Sequence, residues 1–455
     1  MKNTKVLLFI LTMIFLMHCK KDDNKQPEIP QNSSGTAGLV DEPLWDPPSS
    51  AIHIDPTNIS DALADGSIAH PFSSFAKVTW KDSMIVALKR GTTLESPSVI
   101  ITSDKVVIAS YGSGLRPIIN SNTDGHAITT IWTGCSGITI RDIEVIATKA
   151  SSCIIFHTNS TDVQILNCKL HGSTWGIRAL TGLSNLKIYN TEVFDIKDDG
   201  MFIKVVDHIE IYNCYVHNVN TNWKPPTTSE ELAGGDGIQF SDCNHWRVHH
   251  NLIDRTSSGN KFCFISNNAN QNDGIFEYNV LKGPLVDGFS IYIGDGENLI
   301  VRYNQISAPS NSPIYTHSKN IKIYYNTFEG LTGPLFASNS AEVYNNLFYN
   351  MKSLAIQGGT IKAQNNIFDL GSAEYIRFKV TNLIEDHNLF VYGTATTGST
   401  VGNPMYKDAS KSDFHLQAGS DCIDKGINVG ILKDMEGNIV PQGNAPDIGP
   451  FEFLP

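Results

Sequence analysis

The sequence predicts an all-β chain wound as a single-stranded right-handed parallel β-helix with a cap at each end, and three observations carry that expectation. A hydrophobic column, Ile140, Ile165, Ile188, Ile211, Val248, Phe276, Val301, Ile323, Val343 and Ala363, recurs every 20 to 28 residues, with one interval of 37. From Asn251 onward the residue three places after each member is asparagine: Asn251, Asn279, Asn304, Asn326, Asn346 and Asn366. A second column, Ile154, Ile177, Met201, Ile238, Phe262, Phe289 and Ile314, keeps the same beat. A period in the low twenties, carried by short Val/Ile segments, means coils of β-structure stacked into a solenoid with two strands in each coil.

The elements follow in chain order. Lys2 and Lys5 precede the apolar run VLLFILTMIFLM, too short for an ordinary membrane span, and Cys19 comes directly after His18. The arrangement resembles a bacterial lipoprotein signal over residues 1–19, with Cys19 lipidated after cleavage, although His18 stands where a small residue is usual. The next residues, KKDDN, resemble a charged surface-export tag. Together they place the chain on the outer membrane or cell surface, touching the membrane only through the N-terminal lipid. Residues 20–50, rich in Pro, Ser and Gly, read as a disordered tether. The β-helix should occupy 51–401, with SDALADGSIAHPFSSFAKV as its N-terminal cap and Met84 to Thr92 as its first strand. Residues 402–455 lose the period and should cap the other end.

Both columns lengthen once, and the long intervals overlap only between Ile211 and Ile238, so one insertion lies there. Thr221 to Gly235, TNWKPPTTSEELAGG, fits it, and loops leaving a solenoid mark its working face. The asparagine column is architectural in this reading. Asn accepts the left-handed backbone of a tight bend, and stacked amides bond along the axis. Cys168, Thr191 and Cys214 continue the column as small residues.

Of 455 residues, 41% are hydrophobic and 18% charged, and 36 are Gly, which suits one large turn-rich core and a monomer. A net charge of -12 argues against nucleic acid as partner and requires a bound cation or local positive site for an acidic polysaccharide. Eight Cys, with Cys153 and Cys263 on interior positions, read as free buried thiols. The chain shows no phosphate-loop, zinc-ligand or nucleophile-elbow spacing.

The closing stretch GNPMYKDASKSDFHLQAGSDCIDKGIN, then Asp434, Gly437 and PDIGPFEF, resembles the end of secreted bacterial pectin-lyase-like β-helix proteins. Locally, DDGMFI at Asp198 to Ile203, HIEIYNCYVHN and GGDGIQF at Gly234 to Phe240 resemble the calcium-site region of family nine polysaccharide lyases. That resemblance implies calcium held by Asp198 and Asp199. The chain departs from it where Phe202 replaces a third aspartate and Gln239 stands at the lysine position.

Aligned on the second column, Asp199, Asp236, Asn260 and Asp287 form an acidic line on neighbouring coils. Carboxylates stacked under 5 Å apart repel unless a cation intervenes, so Asp198, Asp199, Asp236 and Asp287 are candidate Ca2+ ligands. The alternative turns the aspartates of Asp-Gly bends toward water. Lys261, with Asp236 and Arg255, could carry catalysis: a basic residue removes the proton beside a uronate carboxyl while Arg255 binds that carboxylate. His217 could serve as acid or base or contact substrate, and His249 and His250 flank the same coils. Trp223, Trp175 and Tyr292 offer flat surfaces for sugar rings. These residues suit a calcium-assisted polysaccharide lyase acting on a uronic-acid glycan. Asp199 and Asp236 would equally suit a glycoside hydrolase, and a non-catalytic glycan-binding surface lipoprotein would need only the aromatic residues.

Overall fold

A computed structural model describes residues 37–221, 235–255, 265–267 (backbone only), 271–283, 289–307, 312–352, 355–374 and 376–455. Residues 37–455 form one compact unit. Most coils contribute three runs of parallel pairing, one more than the columns predicted and numbered here as three sheets; in the last coils strands such as Leu335–Tyr344 and Ile356–Gln364 join the third run to the first, so that among the described residues these two form one 24-stranded sheet. The first sheet holds strands such as Leu183–Tyr189 and Val206–Tyr212, the second Glu192–Phe194 and Tyr215–His217, and the third Trp175–Ala179 and Met201–Lys204. Among the described residues the second sheet has 14 strands.

The first hydrophobic column is an unbroken ladder in the first sheet, Ile140 pairing with Ile165, Ile188, Ile211, Val248, Phe276, Val301, Ile323, Val343 and Ala363 in turn. All ten side chains are fully buried. The second column belongs to the third sheet and slips partway. Ile238 pairs with Ile265 and Ile265 with Ile291, not Phe262 and Phe289. Phe289 instead pairs with Ser312. Coil length alone does not fix register, because a loop of variable length precedes each third-sheet strand. The acidic line is therefore shorter than expected: two residues before Ile238 stands Asp236, but two before Ile291 stands Phe289. Asn260 and Asp287 lie outside the described residues.

The second sheet supplies the missing column. Leu170, Val193, Val216, Ile253, Leu281, Ile306, Phe328, Phe348, Phe368 and Phe390 pair in sequence and point inward. The last four rings stack at centroid spacings of 5.1, 5.0 and 5.4 Å, close to the strand spacing itself.

Between the first and second sheets runs the asparagine ladder. The backbone N–H and Nδ2 of Asn279 both donate to Oδ1 of Asn304, at 2.9 and 3.1 Å, while Nδ2 also reaches the Val248 carbonyl at 2.9 Å. The pattern repeats from Asn251 to Asn388, one rung beyond the sequence column, with every amide fully buried. Thr191 accepts from the Cys168 N–H and Asn251 from the Cys214 N–H, continuing the ladder upstream. The ladder residues themselves do not take the left-handed backbone. The residue before each does: Asn213, His250, Tyr278, Tyr303, Tyr325, Asn345, Asn365 and His387 all have φ between 50° and 57°. The bend and the amide column are thus adjacent positions with separate tasks.

Both terminal segments run along this bend. Residues 37–50, grouped with the tether by composition, are ordered against it: Gly38 N–H donates to the His250 carbonyl, Val40 N–H to Asn190 Oδ1 and Trp45 N–H to Asp142 Oδ2. The C-terminal segment, expected to close the end of the solenoid, covers its flank. Phe414, Leu416, Cys422, Val440 and Ile448 pack with Tyr303, Tyr325, Leu347, Ile367 and Leu389. Ile52–Ile54 is the first strand, pairing with Ile85–Lys89, so the helix begins a coil earlier than Met84. The described cysteines Cys135, Cys153, Cys168, Cys214, Cys243 and Cys422 are free and buried, whereas Cys263 lies outside the described residues. Among the described residues no helix is long and apolar enough to cross a membrane.

Glu277, fully buried, lies between Arg247 Nε at 2.7 Å and Arg302 Nε at 2.6 Å. Burial pushes its carboxyl up, and Arg302 and Arg247 outweigh that, so it ionises below the ordinary glutamate range. Glu277→Gln should cost about 3 to 5 kcal/mol at neutral pH by leaving two cations without their counter-charge. The Glu277 contribution is present above the unfolded-state pKa and lost as pH falls through the lower folded value, so urea titrations of wild type and variant should converge in acid. Asn304→Ala leaves the buried Asn279 backbone N–H without its acceptor, and its urea midpoint should report a loss of about 1 to 3 kcal/mol.

Candidate active site at the entrance to the third sheet

Asp198 and Asp199 precede the third-sheet strand Met201–Lys204, and Asp236 precedes Ile238–Ser241 on the next coil. The pairing of Met201 with Ile238 sets Asp199 beside Asp236. The glycines of these turns answer to space. A Cβ on Gly200 would stand 2.6 Å from the Gly237 carbonyl and 2.9 Å from Val216, and one on Gly235 would stand 2.2 Å from the Asp198 backbone. The Asp-Gly turns therefore bring two rungs closer than a side chain permits.

The aspartates are not turned to water. Asp199 is 4% and Asp236 3% exposed, and the Asp236 N–H donates to Asp199 Oδ1 at 2.8 Å. Burial raises the Asp199 carboxyl well above its ordinary value, and the neighbouring Asp236 and Asp198 raise it further, against hydrogen bonds from the Asp236 backbone and Trp175. Burial also raises Asp198. Like charges held this close in a dry corner need a proton or a cation between them. The three carboxyl groups are all-oxygen donors, but their oxygens do not all come within 4.8 Å of one another, so a hard cation among them would be held in part through water.

Trp175 is brought into this cluster, one rung before Asp199. Arg255 is also close, but its fully buried guanidinium donates from Nη1 to the Gly235 carbonyl at 3.3 Å, holding the Asp236 turn from inside the fold. It is in no position to meet a ligand carboxylate. His217 lies elsewhere, on the outer face of the second sheet, stacked on Phe194 and Tyr215 with Nε2 3.2 Å from Glu192. His249 and His250 belong to the first sheet and the bend, stacked on Tyr212 and Tyr278. Lys261, Trp223, Asp287 and Cys19 lie outside the described residues.

A cation that the sequence reading passed over stands beside the aspartates. Arg178 lies over the Trp175 ring, 4.5 Å from its centroid, and 5.6 Å from that of Phe202. Burial lowers its guanidinium, and Asp199 partly restores it. On the preceding rungs stand Ser152, His126 and His157, and Trp132 packs 4.1 Å from the His157 ring. Burial, then Arg178, lowers both histidines, His126 to about 4, so both are neutral at pH 7. Among the described residues Arg178 Nε, Ser152 Oγ, His126 Nδ1 and His157 Nδ1 are buried without hydrogen-bond partners. The signal for them was present: continuing the offset of Asp199 backwards through the column reaches Trp175, Ser152 and His126.

The row that points outward from the third sheet runs Ile155, Arg178, Phe202 and Gln239, and then, beyond Ser266, Tyr292, Tyr315 and Phe336. Phe202 and Gln239, the two positions at which the lyase resemblance fails, are direct neighbours in it. Tyr292 thus shares a face with the site. Its ring is 5.6 Å from that of Tyr315, which lies 4.5 Å from Phe336. The half-buried rings make a flat apolar strip a few rungs from the aspartates.

The sequence pattern described as right handed beta helix region matches residues 106–274. No curated protein matches the chain in sequence. Among solved structures, the complex of XylC with xylose aligns over 89% of this chain and 98% of that one, at 10% identity and a TM-score of 0.55. A variant of the PL6 family alginate lyase AlyGC aligns over 80% of this chain and 57% of that one, at 12% identity and a TM-score of 0.50. At such identities the likeness is one of fold. The three-sheeted coil, the matched pattern and these neighbours agree that the chain is a right-handed parallel β-helix.

Proposed function

We propose that this chain is a glycan-cleaving enzyme whose centre is the Asp198, Asp199 and Asp236 cluster, and that it acts on a uronic-acid polysaccharide by calcium-assisted β-elimination. The observation that carries this reading is the Asp199 carboxyl, buried against two others and driven upward by them beside the cationic Arg178. Asp198, Asp199 and Asp236 would hold the ion, which when bound neutralises a uronate carboxyl and acidifies the adjacent carbon. Arg178 takes the role first given to Arg255: its unpartnered Nε and its seat on Trp175 suit a carboxylate lying along the outer row. Tyr292, Tyr315 and Phe336 support neighbouring sugar rings. Lys261 is retained as the base that removes the proton; the electron pair forms a carbon–carbon double bond and the glycosidic oxygen leaves. Lipid anchoring through Cys19 at the outer membrane completes the reading.

One observation favours a second reaction. A carboxyl raised well above its ordinary value beside another carboxyl is also an acid and base pair for glycoside hydrolysis, with Asp199 as the acid and Asp236 as its partner.

Incubation with pectic, alginate and glycosaminoglycan polymers separates the two. Elimination should yield ultraviolet-absorbing unsaturated uronides, fall at least ~10-fold with chelator and at least ~100-fold in Asp199→Asn, while Arg178→Ala should chiefly raise KM. Reducing ends without the chromophore would establish hydrolysis, and binding without either product would mark a non-catalytic glycan-binding protein. Asp199→Asn should also stabilise the metal-free protein. A raised carboxyl loses stability as pH rises from its unfolded value toward its folded one, so the variant should melt higher than wild type by on the order of 2 °C at pH 8 and show little difference at pH 4.

A further inference from the structure

The corner between the third and first sheets turns through a left-handed residue on each coil: Asp162, Asn185, His208, His245, Asp273, Asn298 and Asn320, with φ between 49° and 58°. Pairing of Ser184 with Asp207, Asp207 with Asn244 and Asn244 with Asn272 stacks these positions one above another. Elsewhere the corner is a chain of amides and carboxylates, Asn185 Nδ2 donating to Asp162 at 2.8 Å and Asn298 Nδ2 to Asp273 at 2.9 Å. Two histidines interrupt it. Their rings stack at 4.7 Å, His208 Nδ1 lies 3.0 Å from Asp207 Oδ2, and His245 Nδ1 lies 2.6 Å from Asp207 Oδ1. One donor atom from each of Asp207, His208 and His245 falls within 4.8 Å of the other two, and all three side chains are about half exposed.

We propose that Asp207, His208 and His245 form a surface site for a divalent transition ion of the zinc type, with water completing the coordination. Two imidazoles and one carboxylate are the donor set for such an ion rather than for calcium. A second carboxylate, Asp273, borders the histidine pair. Its Oδ2 lies 3.5 Å from His245 Nε2 while its Oδ1 accepts from Asn298. Both ring nitrogens of His245 thus face carboxylates, and an ion bound at Nδ1 would take the place of the proton that Nδ1 shares with Asp207 Oδ1. The donors come from neighbouring rungs, so the ladder holds them at a set spacing, and a bound ion would tie those rungs together on the outside of the coil. The site is separate from the aspartate cluster and independent of the glycan reading.

The test is zinc binding by the whole chain, measured by competition with a chromophoric indicator and by thermal shift. Wild type should take one equivalent tightly and melt higher with zinc. His245→Asn and His208→Asn should each weaken binding at least ~10-fold and lose the shift. Asparagine already occupies this corner at Asn185, Asn298 and Asn320, so the variants keep the backbone, and unchanged melting without metal checks that. No stoichiometric zinc binding by wild type, or unaltered affinity in His245→Asn, would overturn the site.

Discussion

In-register parallel stacking is the constraint on which the rest of this molecule depends, and the buried amide ladder is its clearest enforcement. Each ladder asparagine offers one carbonyl oxygen to two donors on the coil before it and sends its own amide hydrogens onward and into the core. A slip of one residue would strand several buried donors at once, a penalty that repeats on every rung. The flat stack of Phe328, Phe348, Phe368 and Phe390 rests on the same spacing and could not tolerate a different one.

Register also turns distance in sequence into contact in space. Asp199 and Asp236 are 37 residues apart yet meet because their strands pair, and the same arithmetic brings His126, Ser152 and Trp175 into one line. The fold meets this crowding differently at different sites. Glu277 is neutralised by two arginines and closes a structural bracket, whereas Asp199 is left against further carboxyl groups that push it well above its ordinary value. Such crowded carboxyl groups, next to buried polar atoms without hydrogen-bond partners, set this corner apart from the Glu277 bracket.

The terminal segments reinforce the bend that the solenoid cannot cover by itself. Left-handed residues at every coil leave side chains such as Tyr303 and Tyr325 standing off the surface, and the C-terminal segment buries them. Residues 37–50 do the same upstream through backbone hydrogen bonds. Both run parallel to the helix axis, so each clamps several coils and opposes their separation.

The sequence by itself determined the solenoid, its first sheet residue by residue, the amide column and the encounter of Asp199 with Asp236. These follow from period and spacing, which parallel stacking converts directly into neighbours. The second sheet was hidden because its strands are only three residues long, and its inward column lies too near the asparagines to stand out as a separate beat. Only the tertiary structure decided that Arg255 is an internal brace, that Arg178 lies over Trp175 near Asp199, that His217 sits on the second sheet, and that Asp207, His208 and His245 converge. The physical reason is that loops of unequal length reset the register of the third sheet, and burial and side-chain direction then depend on where each loop returns the chain.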